Sequence, residues 1–289
     1  MKNLKLNFRK LDQQILKEGD EVVKNIKKLM FSSRIFKDNI DAALDYAQRE
    51  DYIGVEWYLN YIRLPINSES MENIFNKFRK YPNLYYTFHL PTKDIEIGHI
   101  DPELASASLK YLKMYISLLS PWFKKQKYRS ILTMHIGANG ISMESLDWQR
   151  TKENIKELAE HAYNSNAVLN IENLKTGWTS NPESHLKLIE DTKAQITFDF
   201  GHASSSALIR EKELSIDEYL NKLQRVSHMH FYDFETLDTG EHIPPKSWHQ
   251  IKKDWQLIDK YKDISGIVLE LTSIEDLANT RSLILKNLS

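Results

Sequence analysis

Six segments of the chain close on a side chain able to hold a metal ion or exchange a proton: Tyr86-Thr87-Phe88-His89, Thr133-Met134-His135, Asn170-Ile171-Glu172, Thr197-Phe198-Asp199, His228-Met229-His230 and Val268-Leu269-Glu270. Side chains of a β-strand alternate between its two faces. Read as strand ends, the segments point His89, His135, Glu172, Asp199, His230 and Glu270 one way. Phe88, Met134, Ile171, Phe198, Met229 and Leu269 then share the opposite, apolar face. Carboxylates and imidazoles gathered in a dry pocket suffer desolvation and like-charge repulsion unless a cation balances them. The chemistry predicted is therefore that of a bound divalent ion. One layer beneath lie Thr87, Thr133, Asn170, Thr197, His228 and Val268. This layer is unusually polar for a barrel interior and suited to orienting ligands through hydrogen bonds.

Positioning these residues requires parallel strands whose carboxyl ends meet. Short β-rich apolar runs are predicted at Leu29–Ser33, Tyr52–Trp57, Leu84–Leu90, Ser130–Ile136, Ala167–Glu172, Ala194–Phe200, Val226–Tyr232 and Ile264–Leu271. Amphipathic segments lie between them, such as Asn39–Arg49, Glu103–Leu119, Ser145–Tyr163 and Trp248–Lys260, with a last helix over Ile274–Leu285. Their apolar residues recur at three- and four-residue steps. Strand–helix alternation on this scale predicts an α/β protein, a (β/α)8 TIM barrel formed as one domain over 29–289. Residues 1–28 are read as an N-terminal extension capping the barrel's lower end. An open doubly wound sheet would bring a Gly-rich phosphate loop after the first strand. The stretch from Phe31 to Asn39, FSSRIFKDN, is not one.

Composition narrows the functions further. The chain has 39 Lys and Arg against 40 Asp and Glu, a formal net charge of −1, where nucleic-acid binders usually carry a basic excess. With no cysteine, disulfides, zinc fingers and thiol catalysis are excluded. Neither a signal peptide nor a run long enough to span a membrane is read, so a cytoplasmic location with no membrane partner is expected.

Taken in order and spacing, Gly54-Val55-Glu56, His135-Ile136-Gly137, Ile171-Glu172-Asn173, Asp199-Phe200-Gly201-His202, His228-Met229-His230 and Glu270 resemble the xylose-isomerase-like TIM barrels. That superfamily includes sugar isomerases, ketose epimerases and endonuclease-IV-type repair enzymes. The resemblance implies two patterns. In the epimerase-like one, Glu172, Asp199, His230 and Glu270 hold one divalent ion. Three carboxylates and one imidazole suit Mn²⁺, with Co²⁺, Mg²⁺ or Zn²⁺ as alternatives. Glu172 and Glu270 then act as base and acid on either side of a carbon next to a carbonyl. His202, Glu56, Trp178 and Lys246 are the expected substrate contacts.

In the endonuclease-like pattern, His89, His135, His202 and His242 add ligands for further zinc ions. That pattern wants an Asp-x-His pair where this chain has Gly240-Glu241-His242, with Asp238 or Glu241 as the candidate substitutes. The leading expectation is an isomerase or epimerase acting on a small sugar-like polyol. The alternatives are a zinc phosphodiester hydrolase acting on abasic DNA and another metal-dependent lyase. Lys93, Lys175, Arg210 and Lys246 are the loop cations that a nucleic-acid backbone would need. The resemblance also allows a homodimer.

Overall fold

Ten strands form in the computed structural model, which describes residues 28–61, 68–137 and 141–288. They are β1 (Leu29–Ser32), β2 (Gly54–Tyr58), β3 (Tyr85–His89), β4 (Ser130–Met134), β5 (Ala167–Glu172), β6 (Gln195–Asp199), β7 (Val226–Phe231), β8 (Phe234–Glu235), β9 (His242–Ile243) and β10 (Ile267–Leu269). Eight of them close into a barrel in the order β1-β10-β7-β6-β5-β4-β3-β2, with parallel pairing throughout. The expected (β/α)8 barrel is therefore present. The remaining two, β8 and β9, form an antiparallel hairpin inserted after β7 that the sequence reading did not anticipate. The N-terminal extension lies outside the described residues, apart from Lys28.

The outer helices form because each offers one apolar stripe to the barrel. In Ile40–Arg49 the buried residues are Ile40, Ala43, Leu44, Tyr46 and Ala47, and Asn39 caps the helix by accepting the Ala42 N–H at 3.1 Å. The helix Pro102–Phe123 starts with Asp101 as N-cap and Pro102 in its first turn. It runs past the expected end at Leu119, through Pro121, and so buries Trp122 and Phe123. Burying two such rings returns roughly 1.5–3 kcal/mol each, which offsets a proline penalty of about 3 kcal/mol.

The alternation expected along the strands is what the structure shows. Phe88, Met134, Ile171, Phe198, Met229 and Leu269 are all buried in the core between barrel and helices. The polar layer inside the barrel is hydrogen-bonded to itself. The Thr133 and Thr197 hydroxyls are 2.9 Å apart, and the Asn170 side-chain amide donates to Ser227 Oγ at 2.9 Å and to Thr197 Oγ1 at 3.2 Å.

Two local devices set the register of this layer. A β-bulge between β6 and β7 pairs Ile196 with Val226 but Thr197 with His228, so Ser227 is the extra residue. The shift brings His230, rather than Met229, opposite Asp199. At the start of β2, a Cβ on Gly54 would lie 2.1 Å from the Tyr85 carbonyl oxygen, so only glycine permits this strand approach.

Candidate metal centre

At the carboxyl ends of β5, β6 and β7 and just past β10, Glu172, Asp199, His230 and Glu270 converge. One ligand atom from each lies within 4.8 Å of the others, and all four residues are buried. His230 Nδ1 is the hub, at 3.0 Å from Glu172 Oε1, 3.1 Å from Glu270 Oε2 and 3.6 Å from Asp199 Oδ2. The Asp-Phe-Gly-His spacing has a local cause. Asp199 is the N-cap of the helix Phe200–Ser205, and its Oδ1 accepts the His202 N–H at 2.7 Å. That leaves Oδ2 buried without a hydrogen-bond partner among the described residues. Gly201 is needed because any Cβ there would meet the Tyr232 ring at 1.9 Å. Asn173, just past β5, fixes the backbone of Asp199, accepting its N–H at 2.8 Å and donating to its carbonyl at 2.9 Å.

Glu56, expected among the substrate contacts, is instead fully buried beneath the centre. Its Oε1 lies 2.9 Å from His230 Nε2 and its Oε2 3.3 Å from His228 Nε2. The Thr87 and Thr133 hydroxyls donate to Oε2 at 3.4 Å. The register explains the placement. Glu56 pairs with Thr87, a layer below His89, whereas Tyr58 pairs with His89.

A second donor set shares Glu172. Glu172 Oε2 is 2.8 Å from His135 Nε2 and 3.3 Å from His89 Nε2, and ligand atoms of the three residues fall within 4.8 Å of one another. His89 Nδ1 lies 3.0 Å from the Leu90 carbonyl, which places a ring proton on Nδ1 and turns Nε2 toward Glu172. Each oxygen of Glu172 thus faces a different imidazole group.

A third group forms around the hairpin. His202 Nδ1 lies 2.9 Å from Glu235 Oε2, and Glu235 pairs across the hairpin with His242. The rings of His202 and His242 are 6.0 Å apart. The carboxylate beside these histidines is therefore Glu235, while Asp238 and Glu241 are exposed. Strands two residues long leave no periodicity to read, so the sequence carries no signal that would single out Glu235. The hairpin is docked by Ser205, whose Oγ accepts the Glu235 N–H at 2.7 Å, and by Lys175, 3.3 Å from Glu235 Oε1.

Arg34 is the other residue that sequence reasoning missed. It follows β1, in the stretch read only for its lack of a phosphate loop, and its Nη1 donates to Glu270 Oε1 at 3.1 Å. Trp178 packs edge-on against Trp148 with ring centroids 4.9 Å apart, half-buried in the loop after β5. Lys246 is exposed, and its backbone N–H bonds to Gln250 rather than to any residue of the centre.

Electrostatics tie the groups together. Burial opposes ionisation of Glu172 and Glu270, yet neighbouring imidazoles hold both well below the usual carboxylate range, with Arg34 assisting at Glu270. Glu56 is likewise lowered to about 2, since His230 and His228 outweigh its burial. Conversely, burial disfavours the imidazolium of His230, but Glu56 and Glu172 push it well above its ordinary pKa. His202 rises to about 9 against burial because of Asp199 and Glu235. So many buried carboxylates demand nearby positive charge. The donor set also fits divalent cations, and the bonded-out Asp199 Oδ1 beside its partnerless Oδ2 is what a ligand oxygen presents.

Comparison with known proteins agrees with this architecture. Residues 44–256 match the family model described as xylose isomerase-like TIM barrel. An uncharacterized protein of Methanocaldococcus jannaschii is 29% identical over 177 residues, 60% of this chain and 73% of that protein. The fold is similar to that of a D-tagatose 3-epimerase-like protein, with a TM-score of 0.69 and 16% identity over 90% of this chain and 97% of the other. It is similar also to endonuclease IV from Thermus thermophilus, with a TM-score of 0.66 and 15% identity over 90% of this chain and 99% of that one.

Proposed function

The chain belongs to the xylose isomerase-like TIM-barrel family, and from the geometry of its site we propose that it is a divalent-metal-dependent hydrolase of small phosphate esters. The observation that carries this reading is the position of Glu172 between two donor sets. Its Oε1 faces His230, and its Oε2 faces His135 and His89. One ion would be held by Glu172, Asp199, His230 and Glu270, and a second by His89, His135 and Glu172. The carboxylate-rich set suits Mn²⁺, Co²⁺ or Mg²⁺, and the imidazole-rich set suits Zn²⁺. What divalent ions supply in such a site is Lewis-acid polarisation of a phosphoryl oxygen and a lowered pKa for an attacking water.

The chain's own residues give that chemistry its shape. Glu56 orients His230 from below, Asn173 and the N-cap geometry orient Asp199, and the Leu90 carbonyl orients His89. Two of the four loop cations that a nucleic-acid backbone would need are already engaged: Lys175 with Glu235 and the Thr236 carbonyl, and Arg210 through its Nε with the Ser205 carbonyl. Together with the net charge of −1 this supports a small substrate rather than DNA.

The second reading is the proton transfer of a sugar isomerase or epimerase. It is favoured by the four-ligand group itself and by the arrival of Glu172 and Glu270 from separate strands. It requires a free carboxylate oxygen to take the proton. Here Glu172 Oε2 is held by His135 and His89, and Glu270 Oε1 by Arg34.

The test is to incubate metal-loaded protein with bis(p-nitrophenyl) phosphate, an abasic duplex and a ketohexose panel in D₂O. The hydrolase reading predicts metal-dependent release of nitrophenol and no deuterium on sugar carbon. Deuterium incorporation without ester cleavage would transfer the assignment to the epimerase reading.

A further inference from the structure

Arg34 has hydrogen-bonding capacity that the fold does not use. A guanidinium carries five N–H donors in a rigid fork. Among the described residues, the hydrogen bonds of Arg34 all come from Nη1. They reach Glu270 Oε1 at 3.1 Å and the His242 ring, with Nδ1 at 3.2 Å and Nε2 at 3.5 Å. His242 Nδ1 is itself 2.7 Å from the Glu270 carbonyl, so its proton is committed there and Nε2 is the ring atom left to accept. Nε and Nη2 of Arg34 have no hydrogen-bond partner among the described residues, and 19% of the side chain stays open to solvent.

The guanidinium is also held in place. Its Cζ lies 5.4 Å from the centroid of the Tyr58 ring, and that ring is 4.9 Å from His89. Arg34 therefore borders both donor sets, touching Glu270 of one directly and His89 of the other through Tyr58.

An open, fixed guanidinium fork beside a metal centre matches the paired oxygens of a tetrahedral oxyanion. We infer that Arg34 is the specificity-determining residue of this site, gripping the non-bridging phosphoryl oxygens of the substrate through Nε and Nη2 while Nη1 stays on Glu270. The inference rests on the hydrolase reading above and makes the phosphoryl group, rather than the remainder of the ester, the part of the substrate recognised. A neutral polyol could accept hydrogen bonds from the fork but carries no negative charge to pair with it.

The test measures binding rather than turnover. Inorganic phosphate is titrated calorimetrically into the metal-loaded, full-length protein, with metal content per chain determined on the same samples. Charge-assisted hydrogen bonds from a fork imply a loss of roughly 10- to 100-fold when they are removed. Arg34→Gln should show that loss at unchanged metal content. Arg34→Lys, which keeps the charge without the fork, should fall between. Phosphate binding by Arg34→Gln within about twofold of the unsubstituted protein, a difference under 1 kcal/mol, would overturn the anchor and leave the hydrolase reading standing. Failure of the unsubstituted protein to bind phosphate would overturn both. Loss of metal in both variants would reduce Arg34 to a support for Glu270 and likewise overturn the anchor.

Discussion

Glu56 Oε1 stands 2.9 Å from Nε2 of His230, on the side of the ring away from the Nδ1 that faces Glu172, Asp199 and Glu270. A carboxylate behind a ligating imidazole fixes the ring's orientation and raises its basicity as a donor. Here it also fixes which nitrogen faces the centre. The Glu56 carboxylate reaches His228, His230, Thr87 and Thr133 within the barrel. The candidate metal centre and the polar barrel interior are thus one connected structure.

Glu56→Gln keeps the shape of the side chain and removes its charge. Metal affinity is expected to fall by about 10–100-fold, measured by competition with a chromogenic chelator, while circular dichroism stays unchanged. Equal affinity in the two proteins would show that Glu56 fills space and does not tune His230.

Gly54→Ala tests the packing that starts β2. The added Cβ would lie 2.1 Å from the Tyr85 carbonyl oxygen and 3.0 Å from Met30 Cε. The carbonyl belongs to a neighbouring strand and cannot swing away as a side-chain end could. Overpacking of this kind costs about 1–3 kcal/mol, at roughly 2–4 °C in Tm for each kcal/mol in a domain of this size. A melting curve that does not move would mean that the two strands can separate at no cost.

His185, on the helix Pro182–Ile189, is fully buried, and burial lowers its pKa to about 4. In the unfolded chain the ring takes its proton near the ordinary value of about 6.5. Below that pH the unfolded state binds more protons than the folded one, so stability rises with pH. The contribution is complete above about pH 6.5 and is lost as pH falls toward 4. Its full size is about 3 kcal/mol. Replacing the ring with His185→Leu should flatten the dependence of stability on pH between these limits. Denaturant midpoints taken near neutral pH and at about pH 4.5, inside that window, decide it. An unchanged slope in the variant would assign the acid sensitivity to other groups.

Much of this was legible in the sequence because strands obey parity. The shared face of the six candidate ligands and the apolar residues before them follow from alternation alone, and the barrel follows from repeated strand–helix segments. Register was not legible. It depends on the Ser227 bulge and the Gly54 approach, both of which are contacts between strands. The expectation of Glu56 as a substrate contact could therefore not foresee its burial beneath the centre, in register with Thr87. Arg34 and Glu235 were missed for a related reason. Each enters the site from a loop or a two-residue strand, where side-chain direction is set by tertiary contacts with Glu270, Ser205 and His202. For Trp178 and Lys246 the sequence carries only residue type and loop position. The first packs on Trp148 and the second is exposed beside Gln250, so neither is bonded to the ligand atoms.

Metal content per chain, measured by mass spectrometry on protein purified without chelator, tests most directly the proposal that Glu172 would serve both donor sets. The unsubstituted protein and His135→Ala are compared. Two or more ions are predicted in the former, and the loss of one in the variant with the Glu172, Asp199, His230 and Glu270 ion retained. A single ion per chain, unaffected by His135→Ala, would contradict the proposal that Glu172 serves both sets.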